Sequence, residues 1–198
     1  MATLDNVRFL VEAGAAKDQA SNAGATPLWV AAGEGHLDIV RFLVAAGAAK
    51  DQAPNHGATP LWVAAGEGHL DIVRFLVEVG AAKDQTQHDG ATPLLVAALK
   101  GHLDIVRFLV AAGAAKDQAT NHGATPLWVA ALKRHLDIVR FLVEGGAAKD
   151  QAQNDGATPL LVAAGEGHLD IVQFLVEDGA AKDEAQNDGA TPLLVAAS

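Results

Sequence analysis

The sequence predicts an all-helical repeat solenoid, built from stacked helix-turn-helix units joined by hairpin loops. Three observations predict it. The 198 residues are six times 33. The string Gly-Ala-Thr-Pro-Leu begins at Gly24, Gly57, Gly90, Gly123, Gly156 and Gly189, always 33 residues apart. Within each copy, apolar residues recur at helical spacing between turn-forming stretches. A period of this length marks an array in which each unit buries its apolar face only against its neighbours.

Residues 24–53 show how one copy is written. Thr26 suits a helix N-cap, and Pro27 suits the first helical position, where its missing N–H costs nothing. Leu28, Ala31 and Ala32 fall at i, i+3 and i+4 and give one apolar face. The alanines let neighbouring helices approach closely. Gly35 marks the stop of this first helix. A second helix is expected from about Leu37 to Ala46, with Asp38 complementing the positive end of its dipole. Ile39, Val40, Phe42, Leu43 and Val44 give it a wide apolar surface, and Gly47 stops it. From Ala48 to Gly57 the helical period is lost and Asn and Gly supply turn chemistry.

The copies are almost identical. Residues 21–53 and 54–86 differ only at Ser21/Pro54, Ala23/His56, Ala45/Glu78, Ala46/Val79 and Ala53/Thr86. No linker or shift in composition interrupts them. The chain therefore divides into one array over 1–198. A half unit at 1–20 is followed by full units 21–53, 54–86, 87–119, 120–152 and 153–185, and then a half unit at 186–198.

These motifs resemble the ankyrin repeat: Gly-x-Thr-Pro-Leu-x-x-Ala-Ala, then Gly-His-Leu-Asp-Ile-Val, then a second helix ending in Gly-Ala. The resemblance covers the whole chain. It implies L-shaped helix–hairpin units stacked into a curved solenoid. It also implies binding of another protein or peptide on the concave side, formed by hairpin tips and first helices, and no enzymatic activity. Two departures recur. The family's His after Thr-Pro-Leu is replaced by Trp29, Trp62, Leu95, Trp128, Leu161 and Leu194, so its local hydrogen bonds are expected to be absent or replaced. Ala-Ala-Lys-Asp stands where many members have Ala-Asp-x-Asn. This uniformity fits one lineage's recent duplication, or an engineered chain derived from it.

Composition narrows the function classes. Half the residues are hydrophobic, enough to offset the entropy of ordering. A formal net charge of −10 opposes non-specific nucleic-acid binding, which needs basic residues against phosphates. No apolar run reaches the roughly 20 residues of a membrane helix, and the N-terminal residues lack a signal-peptide pattern. The chain has neither cysteine nor tyrosine. Without thiols, a cytoplasmic, reducing location is the expectation for a natural protein.

Catalytic and metal chemistry find no constellation. His36, His69, His102, His135 and His168 share one repeat position. Equivalent residues of stacked helices stand roughly 10 Å apart, a ladder rather than the converging cage zinc needs. These histidines are expected to hold backbone carbonyls. Serine occurs only at Ser21 and Ser198, and nearly every other polar residue recurs in each copy, as scaffold does. Gly-Glu-Gly at 33–35, 66–68 and 165–167 lacks the Gly-Lys-Ser/Thr ending of a phosphate loop. No cofactor and no metal site are expected. The pairs Lys50–Asp51 and Asp38–Arg41 read as solvated ion pairs worth a few tenths of a kcal/mol.

The informative positions are those that vary. The first helices end in Gly33-Glu34, Gly66-Glu67, Leu99-Lys100, Leu132-Lys133 and Gly165-Glu166, and Arg134 replaces a stop glycine. Leu95 and Leu99, and Trp128 and Leu132, are i, i+4 pairs on adjacent first helices. They predict an apolar patch edged by Lys100, Lys133 and Arg134, with the anchor-and-rim composition of a binding hot spot. The plainer alternative is that Trp128 and Leu95 are buried between units and the leucines improve helix propensity. At the hairpin tips His56, His88, Asp89, Asn121 and His122 are expected as contact residues. Finally, Ala2–Val11 aligns with Gly35–Val44, a second helix without a first, and 191–198 reads as a first helix without a second. Either fraying of the last residues or weak head-to-tail self-association is expected. A spacer or consensus-like array without a specific ligand is the main rival to a binding scaffold.

Overall fold

The computed structural model describes residues 3–198; Met1 and Ala2, the first positions of the N-terminal half unit, lie outside the described residues. Among the described residues there are helices and turns but no strand. The helices run α1 (Leu4–Glu12), α2 (Pro27–Gly33), α3 (Leu37–Ala45), α4 (Pro60–Glu67), α5 (Leu70–Glu78), α6 (Pro93–Lys100), α7 (Leu103–Ala111), α8 (Pro126–Leu132), α9 (Leu136–Glu144), α10 (Pro159–Gly165), α11 (Leu169–Glu177) and α12 (Pro192–Ala196). Even-numbered helices are the first helices of the sequence repeat, and odd-numbered helices are the second.

Each first helix starts as its residues dictate. Thr26, Thr59, Thr92, Thr125, Thr158 and Thr191 accept a hydrogen bond from the backbone N–H three residues on, and proline follows each of them. This closes one of the orphan donors of the first turn. The first five of these threonines are buried. Second helices begin without a side-chain cap, and acidic residues such as Asp38 and Asp104 occupy their first turn.

The helices form two rows. First helices stack on one another and on their own second helix, while second helices touch their neighbours more sparsely. The reason is side-chain size. Ala32, Ala65, Ala98, Ala130 and Ala131 are buried where the first helices meet, so their axes draw together. The second helices are held apart by Leu, Ile and Phe. The first helices are thus the more closely packed of the two rows. The core is continuous along the stack: Leu43, Leu76, Leu109, Leu142 and Leu175 face Leu28, Leu61, Leu94, Leu127 and Leu160 in one cluster. Hairpin tips join by backbone bonds from copy to copy: His88 N–H to His56 O at 3.1 Å, Asn121 N–H to Asp89 O at 2.8 Å, and Asn154 N–H to His122 O at 3.0 Å.

Candidate protein-interaction face

Side chains that recur from copy to copy are occupied in holding one copy to the next. Trp29, Trp62 and Trp128 donate their indole N–H to Ala58, Ala91 and Ala157 of the following hairpin, at 2.9, 3.2 and 3.0 Å. Tryptophan thus replaces local hydrogen bonding with a bond across the stack. The turn histidines behave likewise. His69, His102, His135 and His168 bond through Nε2 to the carbonyls of Gly33, Gly66, Leu99 and Leu132, at 2.9 to 3.2 Å. Those carbonyls belong to the last turn of the preceding first helix, where no intrahelical partner exists.

Two further rows were not legible in advance. Asp18, Asp51, Asp84, Asp117 and Asp150 each accept the backbone N–H of an alanine 31 residues later, at 2.8 to 2.9 Å. The Lys–Asp proximity is the weaker feature, with Lys83 Nζ 3.7 Å from Asp84. The expected Asp38–Arg41 pair is replaced. Arg41 instead lies over the Phe75 ring of the next copy at 5.6 Å, and Arg74 and Arg140 lie over Phe108 and Phe174 at 4.8 and 4.6 Å. The guanidinium gains the ring's negative face while staying in contact with water.

Against these rows the candidate contact residues fall into groups. Leu95 requires correction as a surface residue. It sits in the tryptophan row, under the next hairpin, and being shorter than Trp it is fully covered at 3% exposure. Trp128 is half-buried and its N–H is spent on Ala157. Leu99 is half-buried and packs on the core. A Cβ built on the equivalent Gly66 comes within 3.2 Å of Val96, so the side chain at this position starts toward the next first helix. Leu132 is half-buried, while Lys100, Lys133 and Arg134 are exposed.

At the tips His56, His88, Asp89, Asn121 and His122 are all exposed, yet several are already engaged. Asn121 donates its side-chain amide to His88 O at 2.8 Å, as Asn154 does to Asn121 O and Asn187 to Asn154 O. Asp89 accepts the Ala91 N–H and the Gln87 amide, which closes its own turn. His56 accepts the Ala58 N–H at 3.4 Å and meets the Trp29 ring edge-on at 6.1 Å. The asparagine's structural role had a signal in the sequence, since Asn stands at positions 22, 55, 121, 154 and 187 with His88 as the exception.

A strip of charge thus runs along the ends of the first helices: Glu34 and Glu67, then Lys100, Lys133 and Arg134, then Glu166. Lysine there complements the negative end of the helix dipole. Arg134 differs. Its φ is +60°, the sole positive value for a non-glycine among the described residues. Its Nε lies 3.4 Å from Asp170 in a solvent-exposed pair. No three metal-binding side chains converge among the described residues, and no described helix is long and apolar enough to cross a membrane.

Stacked helix pairs, locked copy to copy by repeated side chains, define a helical repeat solenoid. The chain belongs to the ankyrin-repeat family: that family's model matches as three copies, over residues 2–87, 79–153 and 145–198. A comparison with curated proteins finds no match. Ankyrin repeats are in general protein-interaction scaffolds, and they are typically not enzymes.

Proposed function

We propose that this chain is a non-catalytic, cytoplasmic protein-binding scaffold. Its contact face is the row of hairpin tips and first-helix ends, and its centre is the basic cluster Lys100, Lys133 and Arg134 beside half-buried Leu99 and Leu132. The observation that carries the reading is Arg134. A non-glycine residue in the left-handed region costs on the order of 1–3 kcal/mol. An exposed ion pair such as Arg134–Asp170 returns little of it. A charge retained at such a position, next to two lysines in an otherwise acidic strip, is best explained by what it meets outside the chain. The side-chain rows of the stack support the reading too, because they pre-organise the face and lower the ordering cost of binding.

The partner this favours is an acidic protein segment. Stopped-flow association with a Glu-rich peptide library selected on the chain tests it. Replacing Lys100, Lys133 and Arg134 together by Glu is expected to slow association by about tenfold or more and to flatten its salt dependence. Unchanged rate and salt slope would remove the basic cluster from the contact. A second reading has its own observation: residues 21–53 and 54–86 differ at only five positions, as in a spacer or consensus-like array without a dedicated ligand. Failure of repeated selections to yield any binder to this face would favour it.

A further inference from the structure

At the ends of the first helices the charge along the stack changes sign. Glu67 and Lys100 are the last residues of α4 and α6, and Lys133 and Glu166 cap the C-termini of α8 and α10. All four hold the same place in successive copies, and all four are exposed. Their order is acid, base, base, acid, with Arg134 reinforcing the second base. Other charged rows are consumed within the stack. Lys83 and Lys149 lie beside Asp84 and Asp178, Arg74 and Arg140 cover phenylalanine rings, and Asp51 and Asp84 hold backbone N–H groups. Glu67, Lys100, Lys133 and Glu166 take part in no ion pair among the described residues.

Folding does not explain this order. The end of each first helix is the negative pole of its dipole, where lysine is favourable and glutamate is not. Helix stability alone would place a cation, or no charge, in every copy. Asp71, Asp104, Asp137 and Asp170 stand in the first turn of the second helix that follows each position. Present in each of these copies, they lower the potential evenly and leave the order of signs unchanged.

We infer that the strip binds a polyproline-II segment of another protein, with two acidic side chains three residues apart and a basic side chain three residues beyond each. The inference rests on the basic cluster as the centre of the contact face, and adds the conformation and charge order of what lies there. Spacing decides the conformation. Packed helix axes stand about 8–10 Å apart, at the shorter end where the side chains between them are small. Ala65, Ala98 and Ala131 are fully buried where these helices meet. The three steps from Glu67 to Glu166 therefore cover about 24–30 Å. A polyproline-II chain rises about 3.1 Å per residue with three residues per turn, so every third side chain faces the same way at steps of about 9.3 Å. Nine such residues reach about 28 Å. A β-strand returns a side chain to one face every second residue, at about 6.6 Å or 13 Å, and misses the step. An α-helix needs seven residues and about 10.5 Å per step, beyond the spacing of alanine-lined helices. Lys100 then meets one acidic side chain, Lys133 and Arg134 meet the other, and Glu67 and Glu166 meet the flanking cations. Those cations remove the repulsion that a wholly acidic ligand meets from the two glutamates and from a chain of net charge −10.

Two ten-residue peptides of equal composition test this by fluorescence anisotropy with the 198-residue chain. One is Lys-Pro-Ala-Glu-Pro-Ala-Glu-Pro-Ala-Lys, and the other inverts the signs, Glu-Pro-Ala-Lys-Pro-Ala-Lys-Pro-Ala-Glu. Each presents the same charge order in either chain direction, and proline holds both in the polyproline-II form. The first is expected to bind about tenfold more tightly at low salt, a gap that narrows as salt rises. In a chain carrying Glu67→Lys, Lys100→Glu, Lys133→Glu, Arg134→Gly and Glu166→Lys, all at exposed positions, the preference is expected to invert. Equal binding of the two peptides, or binding of neither, overturns the inference. A wholly acidic peptide, with Glu at all four charged places, that binds as tightly as the first overturns it too, while leaving the basic cluster as a site for acidic segments. A preference that persists unchanged in the inverted chain places the peptide elsewhere and removes the inference and the basic cluster together.

Discussion

At Arg134 the backbone and the side chain pull in opposite directions. The turn after each first helix needs a left-handed residue, which Gly35, Gly68 and Gly101 supply at φ of +77°, +84° and +81°. A Cβ built on Gly101 would stand 2.6 Å from Cε1 of His135, so a side chain there crowds the histidine of the next copy. Arg134 carries that Cβ, with His168 as the corresponding neighbour. Its bond to the Leu132 carbonyl is kept at 3.1 Å, and the local strain remains. Arg134→Gly is therefore expected to raise stability by about 1 kcal/mol, net of the exposed Asp170 pair and of glycine's greater freedom when unfolded. A higher midpoint in urea is the readout. An unchanged or lower midpoint would mean that the Asp170 pair compensates the strain, and would weaken Arg134 as a sign of function.

At the scale of the element, the two helix types do different work. First helices are short, capped by threonine and filled with alanine, and they set spacing. Second helices carry the bulky residues that fill the space between layers. Leu109 lies on the buried face of α7 in the middle of the stack and is fully covered. Leu109→Ala is expected to cost about 2–5 kcal/mol, the transfer free energy of the lost methyl groups plus the cavity they leave. A loss below about 1 kcal/mol in a denaturant melt would show that the surrounding alanines and valines collapse into the space. The neighbouring α6 shows why helical spacing alone misplaced Leu95. Both Leu95 and Leu99 lie on a face reached by the following copy, and only the stacking of that copy decides how much of each is covered.

For the whole molecule, nearest-neighbour stacking sets the distribution of stability. Interior helices have partners on both sides. Helix α1 has no buried residue, and α12 buries only Pro192. Amide exchange on dilute, unassociated chain is expected to be slowest in α5 to α9 and to quicken toward both ends, α12 fastest of all. Uniform protection through Ser198 at low concentration would contradict this gradient.

Much of this was written locally and was therefore legible in the sequence. The period of 33, the Thr-Pro starts, the stop glycines and the apolar faces of both helix types concern residues within one or two turns of each other. Local sterics and capping act over that range, so helix positions, repeat class and most of the core followed from residue order. The odd cluster at Lys100, Lys133 and Arg134 was visible for the same reason: it breaks a pattern. What only the tertiary structure decided is which polar side chains the array consumes. Trp62 reaches 29 residues ahead, Asp51 is reached from 31 ahead, Asn154 reaches 33 back and His102 reaches 36 back. Those offsets depend on how far each copy is shifted and rotated on its neighbour. That displacement comes from close alanine packing in one row and bulky packing in the other, and no stretch of sequence within a single repeat contains it. For that reason the sequence did not show that the Asn121 amide holds the preceding hairpin, nor that Arg41 covers Phe75 rather than pairing with Asp38.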